Sequence, residues 1–281
     1  MHAGPPLPRP ALWPVFVAYL GAFLLVLVAS TVYILVPTVA RAGWEPARLA
    51  EEAARFALSA PGLLGAALIS ALTLALVTLV TARLLGADVA ARLRFGPSNA
   101  RPAGIVAAIV GVAGLSLAAG SSAELAGLGA GGVTESIALA LRSSNPVRIL
   151  GAVLTLGLAP AFAEEGFFRG LMQTRLRTRW RRWPAILVSA LAFGVFHVDP
   201  VQGTQAFLAG IFFGWVAERL GGIRPTIAAH AVNNTMFVLF ASLTGPGGGP
   251  SHRETLGVLL GGLVALGAAT AFLRSGRAVA D

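Results

Sequence analysis

The chain has 281 residues, 56% of them hydrophobic and 12% charged. Soluble globular proteins carry about 25% charged residues, so a water-soluble globular fold is excluded. No cysteine is present, which also excludes disulfides, thiolate metal sites and cysteine nucleophiles. The net charge of +9 comes from 21 arginines and no lysine; in so apolar a chain it reads as the positive-inside bias of a membrane protein rather than a nucleic-acid surface.

The elements in chain order predict an all-α, polytopic transmembrane bundle of about eight spans. The first span, 13–36, is bracketed by Pro14 and Pro37 and is too long for the apolar region of a signal peptide. Residues 38–60 alternate Arg and Glu (Arg41, Glu45, Arg48, Glu51, Glu52, Arg55) and suit an amphipathic surface helix. Spans 62–85 and 103–122 carry no interior charge and read as scaffold. Residues 123–146, with Gly127, Gly129, Gly131 and Gly132, read as a flexible loop. Four spans follow at 147–172, 183–198, 204–220 and 224–243. The second and third of these are short and joined by a tight turn at Asp199-Pro200. Ala206, Gly210 and Gly214 repeat at a spacing of four, a pattern that lets helices pack closely. Residues 244–251 are a Gly/Pro connector, and 256–273 is the last span.

This order divides the chain into an N-terminal scaffold (1–144, three spans), a polar-bearing core (145–243, four spans) and a C-terminal helix (244–281). Fourteen arginines, including Arg9 and the run Arg175 to Arg182, fall on one side of that topology; six fall on the other, and Arg169 lies inside a span. Both termini are therefore expected on the cytoplasmic side of an inner (cytoplasmic) membrane. Exclusive use of arginine, with abundant Ala and Gly, points to a GC-rich bacterial genome.

Six polar residues stand out inside the core spans, with Asn233 beside them. Glu164 and Glu165 are adjacent in an apolar run, and Arg169 follows Glu165 by four, the favourable order for a helical ion pair. A carboxylate at the bilayer centre costs about 2.5–3.5 kcal/mol even on lenient scales, so such groups mark functional sites by default. His197 ends Phe193-Gly-Val-Phe-His197. His230 and Asn234 are four apart and share a helix face. At about 1.5 Å per residue, Glu164 lies ~16 Å from Arg175 and His197 ~22 Å from Arg182. On the same rise, His230 and Asn234 lie ~9 and ~15 Å from Arg224. Against a hydrocarbon core of about 30 Å, all four sit at intermediate depth, where acid, imidazole and amide can converge. Singly, each could be an interhelical hydrogen bond, and Glu165 with Arg169 a structural pair. Together they fit a site.

Glu164-Glu165-xxx-Arg169, Phe193-xxx-His197 and His230-xxx-Asn234 resemble the three motifs of the CPBP intramembrane proteases, the CAAX prenyl protease 2 / Abi family, over roughly residues 145–243. The resemblance implies an integral-membrane endopeptidase acting on a membrane-associated peptide or protein. It implies that Glu164 and His197 activate water, that His230 and Asn234 stabilise the oxyanion, and that Glu165 and Arg169 support them. A zinc-dependent version would use Glu164, His197 and His230 as ligands. No His-Glu-x-x-His occurs, and a metal-free mechanism is the preferred expectation. Serine and aspartyl intramembrane proteases fit worse, because Gly-x-Ser-x-Gly and Gly-x-Gly-Asp are both missing. A non-proteolytic membrane binding protein of the bacteriocin-immunity type, or a proton-coupled transporter, is the alternative.

Overall fold

The computed structural model describes residues 10–86, 88–128, 133–142, 145–243 and 251–279. Among these residues the chain is helical, with eleven helices: α1 (Trp13–Ala42), α2 (Pro46–Ala57), α3 (Ala60–Leu84), the single turn α4 (Val89–Arg92), α5 (Pro102–Leu125), α6 (Val133–Leu141), α7 (Pro146–Arg177), α8 (Arg182–Phe196), α9 (Pro200–Leu220), α10 (Arg224–Leu243) and α11 (His252–Arg274). Proline in the first turn opens α1, α2, α3, α5, α7 and α9, where its missing N–H is no loss and its fixed φ suits a helix. Side-chain oxygens of Glu45, Ser59, Asn145 and Asp199 accept backbone N–H groups at the starts of α2, α3, α7 and α9. Ser251 and Glu254 form a reciprocal capping box on α11, so local chemistry fixes most helix starts.

Five helices, α1, α3, α5, α7 and α11, are long and apolar enough to cross a membrane. Their outward faces carry exposed Leu24, Leu72, Leu76, Leu260 and Val264, a surface made for lipid rather than water. The chain is thus an all-α, polytopic membrane bundle. Eight spans were expected. The other three are α8, apolar but 15 residues long, and α9 and α10, whose Gln, His and Asn residues dilute their hydropathy. α7, which carries Glu164, Glu165 and Arg169, still qualifies because it is 32 residues long.

Two boundaries differ from expectation. α1 runs through Pro37 to Ala42; the Thr38 hydroxyl donates to the Ile34 and Leu35 carbonyls, both at 2.9 Å, beside the proline. The stretch 123–146 is not a loop throughout, because Val133–Leu141 forms α6. That segment is glycine-free and largely apolar, and Leu141 packs with Val238 and Ala241 of α10, so burial overrides the glycines before it. Gly129, Gly131, Gly132, Arg9 and residues 244–250 lie outside the described residues. The amphipathic helix expected within 38–60 is α2, where Arg55 pairs with Glu51 and Glu52 at 2.7 Å each.

Close backbone approach holds the core helices together. α8 lies along α9, and a Cβ at Gly210 would sit 2.9 Å from the Ala190 Cβ and 3.3 Å from the Arg169 Nη2. The small-residue repeat on α9 is therefore a packing face, as read from sequence. A Gly210→Leu variant is expected to lose about 1–3 kcal/mol through overpacking, seen as a lower unfolding midpoint in detergent. An unchanged midpoint would mean that α9 can move away freely.

Candidate active site

α7 carries both glutamates, and its geometry is unusual. Its turns widen to i→i+5 hydrogen bonding over Val153–Leu158 and again over Glu165–Gln173. Such π-turns are rare and concentrate at functional sites. Pro160 lies between them and has no N–H to offer the carbonyl four residues back, that of Leu156. The Asn234 Nδ2 donates to that carbonyl at 3.4 Å. The proline thus leaves an acceptor that an amide from α10 takes up, tying α10 to α7.

Glu165 and Arg169 are sealed inside the bundle, with side chains 0% and 1% exposed and an Arg169 Nη1 to Glu165 Oε1 distance of 2.8 Å. Two rings close over the guanidinium: its centre lies 4.5 Å from the Phe193 ring centroid and 5.3 Å from that of Phe213. Cation–π attraction adds to the ion pair where water is excluded.

His230 joins the two glutamates. Its Nδ1 lies 3.0 Å from Glu165 Oε1 and its Nε2 3.6 Å from Glu164 Oε2. A carboxylate only accepts, so the Glu165 contact places a proton on Nδ1 and turns Nε2 toward Glu164. The imidazole is stacked on Phe213, centroids 4.9 Å apart and planes inclined by 20°, and meets Phe193 edge-on at 6.0 Å. His197 closes α8, and its Nδ1 lies 2.9 Å from the Phe193 carbonyl. That bond likewise assigns the proton to Nδ1 and leaves Nε2 with a free lone pair.

The next residue, Val198, has φ +63°, a left-handed conformation costly for a β-branched side chain. Asp199 then caps α9 by accepting from the Gln202 N–H at 2.7 Å. The turn after His197 is therefore fixed from both sides, as it must be to hold such a valine.

Glu164, His197, His230 and Asn234 all line one cavity of about 500 Å³. Asn233 lines it too, as do Gln202 and Gln205 of α9. The lining is completed by Ala67, Ser70 and Ala71 of α3 and Ser116 of α5, which the sequence marks only as scaffold, and by Ile137 of α6, which it reads as loop. A second cavity of about 520 Å³, almost wholly apolar, runs along α3 and α7 past Leu72, Leu79, Phe162 and Ile223; Ala71 lines both cavities.

The six residues singled out by sequence thus fall into two layers. Four face the cavity; Glu165 and Arg169 lie behind it. The imidazole in contact with Glu164 is that of His230. Phe193 and Phe213, which clamp Arg169 and His230, went unassigned; Phe213 is one of 15 phenylalanines, and nothing in its neighbourhood distinguishes it. Glu218 was missed as well. It accepts from Gln173 at 3.1 Å and pairs with Arg94 at 3.0 Å and Arg177 at 3.3 Å, clasping the far end of α7. Among the described residues, no three His, Asp or Glu side chains come together so as to hold a metal ion.

Residues 146–236 match the family model of the Rce1-like type II CAAX prenyl endopeptidases. That segment runs from the first residue of α7 into α10 and contains every residue of the two layers. No curated protein and no solved structure matches the chain. The likeness to the type II CAAX prenyl endopeptidases thus covers the polar-bearing helices and leaves the rest of the chain unmatched.

Proposed function

We propose that the chain is a CAAX-type membrane endopeptidase that cleaves a peptide bond of a membrane-associated protein or peptide inside the cavity between α3, α7, α8, α9 and α10. One observation carries the reading: Glu164, His197, His230 and Asn234, drawn from three helices, line the same cavity. Glu164 acts as the general base that takes a proton from water. His197 lines the same cavity and orients that water through its Nε2. His230, held by Glu165 and 3.6 Å from Glu164, shares the proton and passes it to the leaving amine. Asn234 spends one N–H on the Leu156 carbonyl and has a second to direct at the oxyanion. Donors preset toward developing charge are worth most where water is excluded. Behind them, Glu165 and Arg169 fix the orientation of His230.

No step is routed through a metal. Cleavage of membrane peptides by the purified chain in liposomes is expected to continue unchanged in o-phenanthroline. Loss of activity in the chelator, restored by zinc, would overturn the metal-free reading. Failure to hydrolyse any membrane peptide would favour a binding role of the immunity type. The apolar cavity on the other side of Ala71, lined by α3 and α7, supports a substrate with an apolar, membrane-embedded segment.

A further inference from the structure

His197 stands where α8 stops, so its ring is only as well placed as the last turn of that helix. The His197 N–H, which a continuing α-helix would give to the Phe193 carbonyl, goes instead to the Gly194 carbonyl at 3.2 Å. The ring Nδ1 takes the Phe193 carbonyl at 2.9 Å. The Val198 N–H then bonds to the Val195 carbonyl at 3.1 Å, and Val198 itself is held at φ +63°. Such a turn keeps its shape only where its surroundings over-determine it. One support comes from far away in the chain. The Tyr19 hydroxyl of α1 donates to the carbonyl of Ala192, in the last turn of α8 and 173 residues on, at 3.1 Å. The Tyr19 ring lies against Phe168 and Phe196, with centroids 6.4 and 6.2 Å away. Phe168 in turn lies 5.0 Å from Phe193, and Phe193 meets the His197 ring edge-on at 5.0 Å. Tyr19 thus reaches the histidine by two routes: a hydrogen bond to the backbone that ends the helix, and a row of packed rings. α1 lies outside residues 146–236, the segment that matches the family model.

We propose that Tyr19 is a positioning residue of the hydrolytic cavity. By holding the Ala192 carbonyl it fixes the end of α8, and with it the Phe193 carbonyl that keeps the His197 proton on Nδ1 and the lone pair on Nε2. A carbonyl oxygen has two lone pairs, so the tyrosine adds its bond without displacing the helix's own. Without the hydroxyl, the last turn of α8 is free to tilt, the Nδ1 contact loosens and the two tautomers of His197 mix. Tyr19 does not line the cavity and acts only through His197. The proposal rests on the hydrolytic reading above and extends the working unit to the first helix of the chain.

Tyr19→Phe removes the hydroxyl and keeps the ring and its packing. Tyr33→Phe is the matched control, because the Tyr33 hydroxyl also donates to a backbone carbonyl, that of Pro61, at 2.9 Å. Each purified chain, in phosphatidylcholine liposomes, is given a peptide whose cleavage in cells depends on Glu164. The nitrogen NMR resonances of the His197 ring are recorded alongside, assigned with a His197→Gln variant. Tyr19→Phe is expected to lose about ten-fold in kcat with KM unchanged, and its two His197 ring nitrogens, well separated in the wild type, should draw together. Tyr33→Phe should match the wild type in both readouts. A wild-type kcat in Tyr19→Phe, or a lower kcat with unmoved His197 resonances, overturns the proposal and leaves the hydrolytic reading intact. If the wild type cleaves no peptide faster than Glu164→Gln does, the hydrolytic reading falls, and the resonances alone decide whether Tyr19 positions His197.

Discussion

Glu164→Gln is expected to abolish peptide-bond cleavage while leaving the protein folded. A general base contributes about 10²–10⁴-fold to rate, and the amide keeps the size of the side chain but cannot take a proton from water. Stability should barely change, because Glu164 faces the cavity and its ionic contact is the His230 Nε2 at 3.6 Å. The measurement is kcat on a membrane peptide, alongside the thermal midpoint of the purified variant. A variant with near-normal kcat would remove Glu164 from the chemistry. A variant that lost activity and fold together would make it a packing residue.

Arg169→Met is expected to have the largest effect on stability. Arg169 and Glu165 form a fully buried pair, and removing one partner of such a pair costs about 3–5 kcal/mol because the other charge is stranded. The stranded Glu165 also holds the His230 Nδ1, so the surviving folded fraction should lose activity too. Glu165→Leu with Arg169→Met, which removes both charges, should recover much of the stability but not the activity, since His230 then has no anchor. Unfolding in detergent, followed by circular dichroism, separates these cases. If the single and double variants are equally unstable, packing of the arginine stem rather than charge is what matters.

The polar residues of α7, α8 and α10 were legible because the bilayer makes them conspicuous. Glu164, His197, His230 and Asn234 stand in apolar runs, and a rise of about 1.5 Å per residue puts them at compatible depths. The pairing inside the site was less legible. Helix arithmetic at 3.6 residues per turn does not anticipate two π-turned stretches in α7, and those stretches set which way Glu164 and Glu165 point. The family resemblance pairs Glu164 with His197 in activating water, whereas the imidazole that Glu164 contacts in space is that of His230. The rest of the cavity lining was invisible for another reason: Ala67, Ala71, Ser70 and Ser116 are ordinary residues of apolar helices, and only tertiary packing gives them a role. α6 was hidden by its glycine-rich approach, and its burial against α10 is a tertiary fact.

The most direct test compares peptide termini in membranes from cells carrying the wild-type chain and the Glu164→Gln variant at equal abundance. A hydrolytic cavity predicts a defined set of termini that are present with the wild type and missing with the variant. Identical sets of termini, in cells where the variant still rescues a phenotype of the null strain, would contradict it.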